Sequence, residues 1–69
     1  MRKQRVHETA KKIIREGRRP SADAIAEQLD YSLPDTHRCL NILEKEGLVE
    51  TYRKNVLGSD YRMVSVERQ

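Results

Sequence analysis

Tryptophan and phenylalanine are absent from these 69 residues, and three tyrosines supply all the aromatic character. The core is therefore expected to be thin. A single cysteine, Cys39, allows no disulfide within the chain and no thiol-based metal site. His7 and His37 lie far apart, and neither keeps metal-ligand spacing with Cys39. No Gly-rich phosphate loop is present. The apolar runs are far too short to cross a bilayer, and nothing has the pattern of a signal peptide. Together these absences predict a soluble protein of a reducing compartment, with no metal, cofactor, small-molecule ligand or membrane partner.

Length excludes more. A chain this short buries only about 60% of the surface it exposes when unfolded. One compact domain fits, but a hydrophobic core and an enclosed substrate pocket do not fit together. An enzyme is not expected. Glu44 and Glu46 read as ordinary charged positions near a helix end, not as an acid/base pair.

Charge is abundant, and its distribution says more than its sum of +3. Residues 1–19 hold eight Arg or Lys against Glu8 and Glu16. Residues 20–46 hold Arg38 and Lys45 against Asp23, Glu27, Asp30, Asp35, Glu44 and Glu46. A strongly basic first helix suits a polyanion; the plainer reading is a solvated face.

Periodicity places the elements. Val6, Ala10, Ile13 and Ile14 fall on one face of a 3.6-residue period, predicting a helix over about residues 3–16 that Gly17 closes. Ser21 is a good N-cap for a second helix over 22–29, with Ile25, Ala26 and Leu29 inward and a turn at Asp30-Tyr31. Ser32-Leu33-Pro34-Asp35 fits a capping box opening a third helix over 33–46. Thr36, Leu40 and Leu43 continue inward, Cys39 is a small core filler, and Gly47 ends the helix.

After Gly47 the period drops to two. Residues 48–53 and 61–66 are β-rich, and Gly58-Ser59-Asp60 carries turn chemistry, so a hairpin is expected over about 48–66. Val56 and Leu57 either extend its first strand or sit in its loop. Residues 67–69 are expected to fray. The fold class is mainly α with a small β-hairpin, three helices and then the hairpin. The second and third helices with their tight turn describe a helix-turn-helix.

Ile25-Ala26-Glu27-Gln28-Leu29, then Ser32, then Leu40-Asn41-Ile42-Leu43-Glu44-Lys45-Glu46-Gly47-Leu48-Val49 resemble the winged helix-turn-helix of MarR-type and related bacterial or archaeal regulators. The first helix and the run RRPSADAIAEQL are similar to the DNA-binding domain of the LexA repressor. The resemblance implies a three-helix winged helix-turn-helix that binds double-stranded DNA and regulates transcription. It implies a cytoplasmic protein of prokaryotic, archaeal, viral or plasmid origin. Thr36 stands where those families often carry Val, and Asp30 where a turn Gly is frequent. The long dimerisation helices of full MarR proteins and the LexA protease domain have no counterpart, so ligand sensing and self-cleavage do not carry over.

The resemblance places the third helix in a major groove about 12 Å wide. With Thr36, Leu40 and Leu43 inward, the outward residues are Leu33, Pro34, His37, Arg38, Asn41 and Lys45, with Ser32 at the helix start. Arg38 suits a bidentate contact to guanine and Asn41 one to adenine, while Leu33 and Pro34 suit a thymine methyl. A surface pair of Arg38 with Asp35 or Glu44 is the plainer reading. Arg53, Lys54, Asn55 and Arg62 of the wing, with Arg2, Lys3 or Arg5, suit phosphates. Ile42 belongs to a protein contact or packs beneath the wing. A homodimer reading two half-sites is a separate expectation. The rival function is a winged-helix protein-interaction module in a larger assembly.

Overall fold

A computed structural model describes residues 2–66. Its elements run in the order α1 (Arg2–Arg15), α2 (Ala22–Leu29), α3 (Leu33–Lys45), β1 (Val49–Val56) and β2 (Ser59–Val66). The expected fraying at 67–69 lies outside the described residues.

Each helix ends in the same way, through a left-handed residue that turns two backbone N–H groups onto orphan carbonyls. At Gly47, with φ of 76°, Gly47 N–H donates to Glu44 O at 3.0 Å and Leu48 N–H to Leu43 O at 3.0 Å. A side chain in that conformation would be strained, which is why glycine stands there. The equivalent bonds close α1 on Ile14 and Ile13. At the end of α2 the left-handed residue is Asp30, with φ of 56°. The tight turn between α2 and α3 thus forms without the usual glycine.

The helix starts are equally local. Ser21 Oγ accepts from Ala24 N–H at 3.0 Å, and Ser32 Oγ from Asp35 N–H at 3.2 Å. Only half of the expected capping box forms at Ser32, because the Asp35 carboxylate is taken by Arg2 and Arg38.

Val6, Ala10 and Ile13 of α1 meet Ala22 and Ile25 of α2 and Cys39, Leu40 and Leu43 of α3, and the hairpin closes this core with Val49 and Val64. Fully burying one large aliphatic side chain contributes about 1.5–3 kcal/mol. Ile14, expected inward, is instead 41% exposed, because the stripe that α1 buries runs through Val6, Thr9, Ala10 and Ile13, turned away from Ile14 towards Thr9. Thr36 is completely buried, and its hydroxyl donates to Ser32 O at 3.0 Å, so the polar group has a partner.

The strands pair antiparallel from Val49↔Val66 to Val56↔Ser59. Leu57 and Gly58 alone form the loop, at φ of 51° and 86°. Positive φ at both central residues is the type I′ turn, whose twist matches the strands it joins. Ser59 and Asp60, expected in the turn, therefore belong to β2, and Val56 belongs to β1. The other edge of β2 bonds to the connector before α2, through Val64 N–H to Pro20 O at 2.9 Å and a bridge between Ser21 and Met63.

Candidate nucleic-acid interface

Burying Thr36, Cys39, Leu40 and Leu43 turns the opposite flank of α3 to solvent. Leu33, Pro34, Arg38, Asn41 and Lys45 are exposed there, and His37 is half-buried beside the wing. Ser32 sits at the start of this flank as the cap. Ile42, whose place the sequence leaves open, is exposed.

Directly opposed residues of an antiparallel pair share a face of the sheet. Thr51 with Val64, Arg53 with Arg62 and Asn55 with Asp60 therefore lie on the face that turns to α3, while Lys54 and Tyr61 lie on the other. An open groove of about 650 Å³ runs between α3 and this face, and its walls include Leu33, His37, Arg53, Asp60 and Arg62.

Arg62 ties the two walls together. One guanidinium nitrogen stands 3.2 Å from His37 Nδ1 and donates to His37 O at 3.4 Å; the other donates to Asn41 Oδ1 at 2.9 Å and Glu44 Oε1 at 3.4 Å. Its side chain is only 19% exposed. Glu44 completes the clamp, because its Oε2 accepts from both Thr51 N–H at 3.2 Å and Thr51 Oγ1 at 2.8 Å. Arg62 thus points inward rather than out from the wing. Glu44, read from the sequence as ordinary, sets the angle between wing and helix. The available signal was spacing: His37, Asn41 and Glu44 stand at i, i+4 and i+7, one stripe of a helix.

A second chain of contacts holds the start of α3. The Asp35 carboxylate accepts from Arg38 on one oxygen and from Arg2 on the other, each at 2.6 Å. The Arg2 guanidinium also lies over the Tyr31 ring, 5.2 Å from its centroid. Arg38 nevertheless keeps 74% of its side chain exposed. Lys3 pairs with Glu46 at 2.6 Å. The first two cations of α1 thus neutralise acids at the two ends of α3.

Asn55 is also occupied at home. Its Oδ1 accepts from Gly58 N–H at 3.1 Å and its Nδ2 donates to Asp60 Oδ1 at 2.8 Å, bracing the turn. Lys45, Arg53 and Lys54 have no ion-pair partner among the described residues. Behind the helix, burial pushes the Cys39 thiol above its ordinary pKa, with Asp35 adding to the effect and Arg2 opposing it. It behaves as core, not as a nucleophile.

Three helices, a tight α2–α3 turn and a hairpin folded back beside α3 define a winged helix-turn-helix. Residues 12–52, more than half of the chain, match the IclR helix-turn-helix domain, and the chain belongs to that family. That domain is a DNA-binding domain of transcription regulation rather than a catalytic one. No curated protein and no solved structure matches the chain. Among the described residues, no helix is long and apolar enough to cross a membrane, and no group of side chains is arranged to hold a metal ion.

Proposed function

We propose that the chain works as one winged helix-turn-helix module that binds double-stranded DNA and regulates transcription, with α3 in the major groove and the wing on the sugar–phosphate backbone. The supporting observation is the solvent-facing flank of α3, where Ser32, Leu33, Pro34, His37, Arg38, Asn41 and Lys45 stand beside Arg53 of the wing, with Lys54 on the wing's outer face and neither wing cation in an ion pair among the described residues. The acids on this flank oppose a polyanion less than bare carboxylates would, since Asp35 is paired with Arg2 and Arg38 and Glu44 with Arg62. In this reading Arg53 and Lys54 meet phosphates, while Asn55 and Arg62 reach DNA only at the margin of the turn and groove they brace. Two copies on adjacent half-sites would extend the readout beyond the few base pairs that one helix covers. Sedimentation with and without duplex measures that directly.

Equilibrium binding to a selected duplex, repeated across salt, tests the proposal. Arg38→Ala weakens binding to the preferred sequence by about 1–3 kcal/mol and relaxes one position of it. Lys54→Ala weakens binding to every duplex alike and reduces the salt slope by about 1. Indifference to both substitutions sinks the proposal. Exposure of Ile42 and Leu57 favours a second reading, a protein-interaction module of the same fold. Such a module keeps its partner on Arg38→Ala and loses it on Ile42→Asp or Leu57→Asp.

A further inference from the structure

Each of the main hydrogen-bond acceptors on the outward flank of α3 already has a cation or N–H partner within the protein, whereas most of the donors there have none among the described residues. Asp35 receives Arg2 and Arg38 on its two oxygens. Glu44 receives Arg62 on one oxygen and Thr51 on the other. Asn41 Oδ1 receives Arg62 at 2.9 Å. His37 Nδ1 stands 3.2 Å from the same guanidinium. Arginine has no acceptor atom, so His37 Nδ1 must accept, and the remaining ring proton of the neutral imidazole sits on Nε2.

What remains unpartnered among the described residues is a row of donors: the free guanidinium N–H groups of Arg38, His37 Nε2–H, the Asn41 amide NH2 and the Lys45 ammonium. Asn41 and His37 each had an alternative. A free asparagine presents a donor and an acceptor together, the pair that matches adenine N6 and N7. The Arg62 guanidinium, 2.9 Å away, occupies one of the two lone pairs of Oδ1, and its positive charge disfavours a second donor such as adenine N6 there.

We infer that α3 reads guanine, and that Arg62 is the positioning residue that makes it do so. Guanine alone shows two acceptors, N7 and O6, on its major-groove edge. Adenine places its N6 amino group, and cytosine its N4 amino group, against a donor surface; thymine offers one acceptor and a methyl. Buttressing by Asp35 leaves Arg38 exposed for a bidentate contact to one guanine, and His37 and Asn41 add donors to its neighbours along the groove. The inference rests on the reading of α3 as the base-contacting helix, and it names the class of site which that helix selects.

Selection from randomised duplexes tests it, with the wild-type chain, Arg62→Met and Asn41→Ala in parallel. Wild-type protein enriches duplexes with two or more guanines on one strand within about four base pairs, and replacing either guanine by adenine weakens binding roughly tenfold or more. Arg62→Met releases Asn41 Oδ1, so the position that Asn41 contacts shifts from guanine towards adenine. A merely structural role for Arg62 would lower affinity at all positions without changing the preferred base. Asn41→Ala alters an exposed side chain, leaves the core untouched, and removes the guanine preference at that same position; it carries the test even where Arg62→Met loosens the wing. Enrichment of A·T pairs rather than G·C pairs by the wild-type chain overturns the inference, as does an Asn41→Ala profile identical to wild type. Salt-dependent binding with no enriched base overturns it while leaving DNA binding intact. Absence of binding to any duplex removes the underlying reading as well.

Discussion

Replacing Glu44 separates two things that its carboxylate does at once. One oxygen holds the backbone N–H and hydroxyl of Thr51, and the other meets Arg62 at 3.4 Å. The side chain is 43% exposed, so water takes over part of each lost interaction. The ion pair, near solvent, contributes at most about 1 kcal/mol. The two bonds from Thr51 to a charged acceptor, discounted for exposure, contribute about 1 kcal/mol together. Glu44→Ala should then destabilise by about 1–2 kcal/mol, lowering Tm by roughly 5–15 °C in a domain of this size. Glu44→Gln keeps an acceptor for Thr51 and loses only the charge, so its cost should stay below about 1 kcal/mol. It also removes an anion beside the groove, so duplex affinity at low salt should rise as stability falls. Thermal unfolding by circular dichroism and a salt-resolved binding titration read both quantities. Equal Tm losses for Ala and Gln would refute the role assigned to Thr51. An unchanged Tm for Ala would refute the clamp altogether.

Leu57→Asn should stabilise the wing by about 1 kcal/mol, because Leu57 is fully exposed at φ of 51° and asparagine tolerates the left-handed region at little cost; a lower Tm would show that the leucine makes a contact worth more than its strain. Cys39 should make stability fall at alkaline pH. Burial raises its pKa in the folded chain, so its contribution is intact below the unfolded thiol's pKa and is lost as pH climbs through the raised folded value. A Tm series from neutral to alkaline pH should fall less steeply for Cys39→Ala than for the wild type, and parallel curves would exclude the thiol as the cause.

The elements and their order were legible because each is written locally. Ser21 and Ser32 sit where helix N–H groups need an acceptor, Gly17 and Gly47 where a helix must reverse hand, and the apolar period changes from 3.6 to 2 after Gly47. Besides the half-formed capping box at Ser32, two local readings needed correction. Ile14 satisfies the helical period yet lies beyond the stripe that α1 buries, since that stripe is turned towards Thr9 by where α2 and α3 pack against it. The turn falls at Leu57-Gly58 rather than Gly58-Ser59-Asp60 because register is a property of two strands, and a branched apolar residue in a left-handed conformation is a poor guess from one strand alone.

The outward residues of α3 follow from its period, so the composition of the candidate interface was open to sequence reasoning. Which of their atoms are free was not. Arg62 lies 25 residues from His37 and 18 from Glu44, and Arg2 lies 33 from Asp35, so no local pattern joins them. Sequence determined the helices, their caps, the wing and the identity of the exposed side chains, because short-range sterics and periodic burial govern all of these. Only the tertiary structure decided that arginines from the wing and from α1 would occupy the acceptors of α3, since a hydrogen bond forms only where folding brings both atoms within about 3 Å of each other.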